Sequence, residues 1–322
     1  RYTQQNETLD FGFLGASEKD NTVKITNSSG IMRRADVKGR DFIVLRGLYE
    51  DTDNGYKSLG FFSSHVLHRN GNAHVQAVDA EFRTLSGQWK WRVQGLRTQT
   101  ENLIESKKGE GIWGDIKWMP GQGVEHDLRL LWYSKNLDIN DLGYLGRNDF
   151  RGFIYNYSHN DSSDSEFKNI KTSGMAIQGY NHNGLKINQG FNLGRERFFY
   201  NNSSFRLFAD LSPQRWDDKN SRGNGDFKID ERWFVKANYK TDTSKKLSLE
   251  VSATAKHEDL GGLQRAASIS LRYIANYYTD LKFSLDYKDR KGWLVHRGGP
   301  NFTSYDALHW EPRIDGKIFF SE

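Results

Sequence analysis

Hydrophobic and polar residues alternate along segments of about ten residues, which is the period of a β-strand with two different faces. The clearest segment runs from Lys246 to Lys256, where apolar residues fill every second position without exception. Residues 267–275 and 281–288 repeat the alternation, and shorter versions occur earlier in the chain. No helical spacing is sustained, so the pattern predicts a protein that is almost entirely β.

Two all-β architectures give strands with one polar face: a soluble sandwich or barrel with an apolar interior, and a transmembrane barrel with a polar lumen. Segment length favours the second, because strands that cross a bilayer need about 9 to 11 residues and ordinary globular strands have about five or six. Turn residues and polar connections divide the chain into about 14 to 17 strands. The longest of these connections are residues 136–148, 159–170, 213–229 and 289–304.

We therefore predict an antiparallel transmembrane β-barrel in which residues 1–322 form a single domain, with a polar lumen and a lipid-facing apolar belt. Aromatic residues make up 14% of the chain although its mean hydropathy is only −0.79. Aromatic girdles at the two membrane interfaces explain this combination. The candidate girdle residues near segment ends are Trp118, Trp132, Tyr155, Tyr157, Tyr273 and Tyr287.

Composition excludes several other classes of protein. No run of about 18 apolar residues exists, which excludes a membrane-spanning helix. The absence of cysteine excludes disulfide frameworks, thiolate metal sites and cysteine nucleophiles. The net charge of +5 is spread along the chain without a long basic block, so we expect no nucleic-acid partner.

Charged residues on the polar strand faces are the main candidates for function. In the predicted barrel they line the lumen, where they set selectivity or form ion pairs that fill the interior. Their mixed signs argue against a strongly ion-selective pore. The candidate lumen-lining residues are Lys90, Arg92, Arg206, Asp210, Arg232, Lys236, Glu250, Arg272, Lys282 and Asp286.

Other chemistry is poorly supported by the sequence. On a strand, His65 and His68 point to opposite faces and so make a poor metal site. His126-Asp127 and His159 lack nameable partners for a hydrolytic site at a barrel rim. The acidic run of residues 51–55 lacks the closing glutamate of a calcium loop and is better explained as a hairpin turn. We expect no catalytic residue, cofactor or bound metal.

Four strings of the chain are familiar: residues 77–83, 115–120, 137–149 and 306–313. They resemble the C-terminal region of a family of uncharacterised bacterial outer-membrane proteins, in which a barrel follows a module similar to family 9 carbohydrate-binding modules. The resemblance covers most of the chain, and its motifs are structural rather than catalytic. It implies an outer-membrane barrel with a role in carbohydrate uptake or binding in a Gram-negative bacterium.

The chain departs from that family pattern at both ends. No sugar-binding module precedes the barrel, and the last residues, Phe319-Phe320-Ser321-Glu322, lack the terminal aromatic residue that such barrels present for assembly. We therefore expect the chain to be part of a longer mature protein, with further strands at one or both ends.

The resulting functional hypothesis is a channel or transport component of the bacterial outer membrane for carbohydrate-type solutes, and not an enzyme. Its expected partners are outer-membrane lipid and a carbohydrate or other small solute. The alternative is a plugged barrel that serves as a surface platform for binding or assembly, with a periplasmic or surface protein as partner. A rim hydrolase and a soluble β-rich binding protein are less favoured.

Overall fold

The computed structural model describes residues 2–5, 8–26, 32–68, 71–140, 143–219, 225–258, 261–276, 279–298 and 301–318. Within these ranges the chain contains 21 strands and no helix. The strands are β1 (Tyr2–Gln5), β2 (Leu9–Ser17), β3 (Asn21–Thr26), β4 (Met32–Val37), β5 (Asp41–Asp51), β6 (Tyr56–His68), β7 (Gly71–Arg83), β8 (Trp89–Asn102), β9 (Ser106–Gly121), β10 (Val124–Tyr133), β11 (Phe150–Asp161), β12 (Asn169–Tyr180), β13 (Lys186–Phe198), β14 (Ser204–Ser212), β15 (Arg215–Asp217), β16 (Phe227–Ile229), β17 (Arg232–Lys240), β18 (Leu247–His257), β19 (Leu263–Asn276), β20 (Thr279–Gly298) and β21 (Asn301–Ile318).

The all-β, antiparallel fold class predicted from the alternation is confirmed. Seventeen strands belong to one sheet, which agrees with the expected number of about 14 to 17. The other four strands form two hairpins, β3 with β4 and β15 with β16. No helix in the described part of the chain is long and apolar enough to cross a membrane.

The chain divides into two compact units, each built from antiparallel neighbours. Unit 1 comprises Arg1–Trp118 and Leu128–Phe153, and its strands pair in the order β1, β2, β5, β6, β7, β8 and β9. Unit 2 comprises Met119–Asp127 and Ile154–Glu322, and pairs β12, β13, β14, β17, β18, β19, β20 and β21 in succession. The expectation that residues 1–322 form a single domain stays a prediction.

One predicted connection is wrong. Residues 289–304 were expected to form a polar loop, but β20 continues to Gly298 and β21 begins at Asn301. The ladder between them is interrupted at Arg290 and resumes with Trp293 opposite Tyr305. Charged residues concentrate around this interruption, which hides the strand period from an alternation analysis although the backbone pairing continues beyond it.

The hairpin explanation of residues 51–55 is confirmed. Asn54 and Gly55 both have positive φ, 59° and 115°, as a tight turn between β5 and β6 requires. The Asp51 carboxylate accepts a hydrogen bond from the Asp53 N–H at 2.8 Å, which uses it for the turn itself. Some sequence features lie outside the described residues: residues 141–142 of the string 137–149, residues 220–224 of the connection 213–229, and residues 319–322 at the end.

Candidate functional site

The register of unit 2 places its predicted lumen residues on one face. Directly paired residues of antiparallel strands project to the same side of the sheet, as do alternate residues within a strand. Lys236 lies opposite Thr254, Glu250 opposite Ser270, and Arg272 opposite Lys282. Following these pairs across the sheet puts eight candidates on a common face: Arg206, Asp210, Arg232, Lys236, Glu250, Arg272, Lys282 and Asp286.

The opposite face of unit 2 is apolar and exposed. Val251 pairs with Ile269, and Ile269 pairs with Leu285, so these side chains form a continuous apolar row. Each of the three has more than a third of its surface exposed. Others on this face are still more exposed: Leu193 60%, Leu207 47% and Ile314 71%. The sheet therefore presents its apolar side outward.

Unit 1 shows the same division of its sheet into two faces. Phe61 pairs with Val78, which in turn lies opposite Gly95, and Gly95 lies opposite Ile112. Phe61, Val78 and Ile112 are all exposed. The remaining predicted residues, Lys90 and Arg92, lie on the other face of β8, which we call the polar face of unit 1.

The polar face of unit 1 carries three ion pairs between strands: two join adjacent strands, and Arg46 of β5 reaches across β6 to Asp79 of β7. Arg46 donates two hydrogen bonds to the Asp79 carboxylate, at 2.5 and 2.8 Å. The Lys90 ammonium lies 2.7 Å from Glu81 Oε1. These bidentate and close contacts satisfy the charges locally, so neither cation needs a bound anion.

The third ion pair joins Arg92 to Asp115. Arg92 Nε donates to Asp115 Oδ1 at 2.8 Å, and the Asp115 side chain is fully buried while that of Arg92 is 35% exposed. Asp115 Oδ2 has no hydrogen-bond partner among the described residues. A carboxylate in this environment depends on its guanidinium partner for charge compensation. Arg83 also lies 3.1 Å from Glu81 Oε1, so the paired groups of this face comprise four cations and three carboxylates.

A cavity of about 530 Å³ opens above these ion pairs. Arg46 and Arg92 line it together with Trp113, whose indole N–H donates to Gln94 Oε1 at 2.8 Å. The Arg92 guanidinium also lies 5.8 Å from the centre of the Trp113 ring. The wall thus combines hydrogen-bonding charges of both signs with three aromatic rings, those of Tyr56, Phe62 and Trp113, a lining suited to a polar uncharged molecule.

The polar face of unit 2 has ion pairs and hydrogen bonds of varied length. Arg232 lies 3.5 Å from Asp210, and Asn238 donates to Glu250 at 3.1 Å. A smaller cavity of about 330 Å³ is lined by Arg206, Phe208, Lys236, Asn238 and Glu250.

Arg272 forms a close ion pair on this face, at 2.6 Å, with Asp280. Lys282 lies opposite Arg272 and Asp286 lies opposite Glu311, so both have cross-strand neighbours of their own sign. The structure thus places all eight unit 2 candidates on one face but joins only some of them in pairs.

The profile of the family described as Domain of unknown function (DUF5916) matches residues 12–322. This chain belongs to the DUF5916 family. The family match covers most of the chain, as the resemblance to a family of uncharacterised proteins predicted. The match does not show a carbohydrate-binding module before that region. The comparison with curated proteins finds no match to this DUF5916 chain.

Several solved structures are similar to the DUF5916 chain over nearly its whole length. An anion-selective porin from Comamonas acidovorans is 10% identical, with a TM-score of 0.41 and coverage of 96% of this chain and 98% of the porin. OpdQ of Pseudomonas aeruginosa is 6% identical, with a TM-score of 0.44 and coverage of 97% of both chains. Wzi of Escherichia coli, described as an outer-membrane protein involved in capsule assembly and a carbohydrate-binding β-barrel, is 9% identical, with a TM-score of 0.42 and coverage of 97% of this chain and 84% of Wzi.

Aromatic residues of the DUF5916 chain cluster on the apolar faces. Trp118, a predicted girdle residue near the end of β9, stacks on Trp89 with ring centres 5.6 Å apart. Phe82 and Trp91 stack beside them at 5.1 Å. In unit 2, the predicted residue Tyr287 lies 4.7 Å from Trp310. Tyr155, Tyr157 and Tyr287 lie in the interiors of β11 and β20 and not near strand ends as predicted, and the girdle role itself stays a prediction.

The histidines have ordinary structural partners. His65 and His68 point to opposite faces of β6, as predicted, and the ring of His65 stacks on His74 at 3.8 Å instead. His126 Nδ1 lies 2.8 Å from the Tyr155 hydroxyl. Among the residues that the structure describes, no three His, Cys, Asp or Glu side chains are grouped so that they could hold a metal.

Sequence reasoning missed the partners that complete the polar faces. Asp79 and Glu81 alternate with Val78, Ala80 and Phe82, so the period that identified Lys90 and Arg92 was available for them as well. The signal at Asp115 is weaker, because a neighbouring position of the apolar face, Gly114, has no side chain. The others missed are Arg46, Trp113 and Asp280.

Proposed function

We propose that this DUF5916 chain crosses the bacterial outer membrane as a β-barrel and provides a path for small hydrophilic solutes along its polar faces. One observation carries the proposal: in each unit, the cross-strand register puts exposed apolar side chains on one face and paired charges on the other. This is the reverse of a soluble sheet, in which the apolar face is covered by a core.

Strand length supports the same assignment. The strands β6 to β9 have 13 to 16 residues, and β19 to β21 have 14 to 20. A tilted strand crosses a bilayer with about 9 to 11 residues, so these strands are long enough to cross and to extend beyond it. An exposed apolar face of this extent would be an aggregation hazard in water, whereas lipid covers it in a membrane.

Carbohydrate-type solutes are the proposed cargo, and transport rather than catalysis is the proposed activity. The support comes from the lining of the polar faces. The paired charges of the unit 1 polar face have both signs, with four cations and three carboxylates, so we expect the path to have no strong preference for either sign of ion. The oriented Trp113 ring in the 530 Å³ cavity adds a flat apolar surface among hydrogen-bonding groups.

Single-channel recording in planar lipid bilayers tests the proposal. Refolded chain should give discrete conductance steps with weak selectivity between potassium and chloride, because the unit 1 polar face carries paired charges of both signs. The chain should also need detergent or lipid to stay in solution. A chain that is monodisperse in buffer without detergent, or that inserts without any conductance, contradicts the channel assignment.

A second function, a plugged barrel that acts as a surface binding platform, is favoured by one feature. Residues 134–138 lie against the polar face of unit 1, where Leu137 is almost fully buried. Measured binding of soluble glycans by reconstituted protein that shows no conductance would support this alternative over the channel.

A further inference from the structure

Leu137 is the least exposed apolar side chain described, with 1% of its surface exposed, although it lies in a polar connection between β10 and β11. It contacts the polar face of unit 1 where β9 carries two glycines. A Cβ at Gly109 would lie 2.4 Å from the Leu137 Cα, and one at Gly111 would lie 2.9 Å from Leu137 Cδ2. These glycines pair with Thr98 and Leu96 of β8. Two missing side chains thus create the space that Leu137 fills.

Hydrogen bonds on both sides of Leu137 fix its position. The N–H of Asp138 donates to Thr98 Oγ1 at 3.3 Å, and Thr98 is itself only 1% exposed. The Asn148 side-chain amide donates to the carbonyl oxygens of Lys135 at 2.7 Å and Leu137 at 3.3 Å. Residues 134–138 are therefore held against the sheet by the backbone and do not depend on apolar contact alone.

Leu137 lies between the linings of two polar cavities on the same face of β8, although its own side chain lines neither. Arg92 and Gln94 line the cavity of about 530 Å³, whereas Thr100 and Asn102 line a second cavity of about 590 Å³. Leu96 and Thr98, which lie between these two pairs on β8, are the residues next to Leu137. From Gln94 to Thr100 the strand rises by about 20 Å. A single apolar side chain thus stands between two polar compartments.

We propose that Leu137 is the narrowest point of the solute path along unit 1 and sets the size of the solutes that pass. This inference rests on the proposed channel function. Hydrated polar molecules that enter the cavities on either side would meet at Leu137 an apolar group that offers no hydrogen bonds. Apolar constrictions of this kind oppose the passage of hydrated solutes. The position of Leu137 depends on both glycines, since a side chain at Gly109 or Gly111 would displace it.

Liposome swelling with neutral sugars of increasing size tests the proposal. Proteoliposomes carrying the full chain are diluted into arabinose, sucrose or raffinose, and the rate of swelling is measured. Leu137→Ala should raise the raffinose rate by about fivefold or more while changing the arabinose rate by less than about twofold, as expected for a size barrier. Leu137→Val should show the same preference to a smaller extent. The matched control is Leu103→Ala, because Leu103 is 83% exposed in the turn between β8 and β9.

Each outcome separates this inference from the proposed function. Folding of every variant is checked by its heat-modifiable migration in gel electrophoresis. If wild type swells and folded Leu137→Ala and Leu137→Val keep the wild-type ratio of rates, the constriction is refuted and the channel stands. If wild type is impermeable and Leu137→Ala is permeable, Leu137 acts as a barrier in a closed path. If every variant is folded and impermeable to all three sugars, both ideas fail.

Discussion

The two units share one strand pattern but use their polar faces differently. In unit 1 the polar face carries long charged side chains in close pairs, with the fully buried Asp115 carboxylate at their centre. In unit 2 small hydroxyl groups join the strands: Ser252 bonds Ser268 at 2.7 Å, and Ser270 bonds Ser284 at 2.9 Å. Alternation alone therefore decides which face is polar, but not what that face does.

The difference has energetic consequences. A buried ion pair costs desolvation and becomes strongly unfavourable when one partner is removed, whereas an exposed pair in water contributes little. Unit 1 has the ion pair of the buried Asp115 carboxylate, and its Leu137 packs against two glycines of β9. Unit 2 has hydrogen-bonded serine pairs and partly exposed ion pairs. We expect unit 1 to be much more sensitive to single substitutions on its polar face.

The largest effect should come from Arg92→Ala, which leaves the buried Asp115 carboxylate without its partner. We expect a loss of about 3 kcal/mol in the free energy of unfolding. The matched change in unit 2, Arg232→Ala, should cost less than about 1 kcal/mol because its pair with Asp210 is longer and partly exposed. Urea unfolding of the protein in lipid vesicles measures both values, and equal losses would remove the distinction between the units.

A double substitution sharpens the same test. Arg92→Met with Asp115→Leu removes both charges, so much of the stability lost in Arg92→Ala should return. No recovery would mean that Arg92 stabilises unit 1 through its contact with Trp113 rather than through the ion pair.

The next effect concerns Gly109, where a Cβ would lie 2.4 Å from the Leu137 Cα. Gly109→Ala should destabilise the protein by about 1 to 3 kcal/mol, because the new methyl group would overlap the Leu137 backbone. Gly95→Ala is the control, since no atom lies within 4 Å of a Cβ at that position. Thermal unfolding followed by circular dichroism gives both values. A Gly109→Ala protein as stable as the Gly95→Ala protein would show that residues 134–138 move aside without cost.

The period of the sequence predicted the fold and the polar faces because side-chain direction in a strand depends only on position. Lys90 and Arg92, or Arg206 and Asp210, could be assigned to a face without knowing any neighbour. Partners could not be assigned in the same way, because they depend on register. Arg46 meets Asp79 only because β5, β6 and β7 pair at one particular offset.

Leu137 could not have been predicted as a buried residue for a related reason. It stands in a polar stretch without alternation, and its site is created by Gly109 and Gly111, 26 or more residues earlier. In a sequence, a glycine indicates a turn or a weak strand position. That it leaves space for another side chain can be seen only in the folded structure. The mistake at residues 289–304 has the opposite origin, because charge there was taken as evidence for a loop.

A smaller effect is expected in the hydroxyl ladder of unit 2. In a double-mutant cycle with Ser252→Ala and Ser268→Ala, the coupling energy should be about 0.5 kcal/mol, as for other cross-strand pairs. The control cycle combines Ser252→Ala with Ser284→Ala, whose strands β18 and β20 are separated by β19, and should give no coupling. Coupling of about 2 kcal/mol or more between Ser252 and Ser268 would contradict the expectation that the hydroxyl pairs of unit 2 contribute little to stability.

The smallest effect should come from Asp242, in the turn between β17 and β18. The Ser244 hydroxyl and N–H donate to Asp242 Oδ1 at 2.7 and 2.9 Å, and Asn202 donates to Oδ2 at 3.3 Å. These hydrogen bonds hold the pKa of Asp242 below its ordinary value of 3.8. A carboxylate whose pKa is lower in the folded state contributes its full stability above the unfolded pKa and loses it as the pH falls through the folded pKa.

The difference in melting temperature between wild type and Asp242→Asn should therefore be constant near neutral pH and shrink only in acid. Ser244→Ala removes the hydroxyl donor, so in that background the difference should be smaller at neutral pH and its loss in acid should be complete at a higher pH. A difference that does not change with pH would show that the turn is stabilised by its backbone alone.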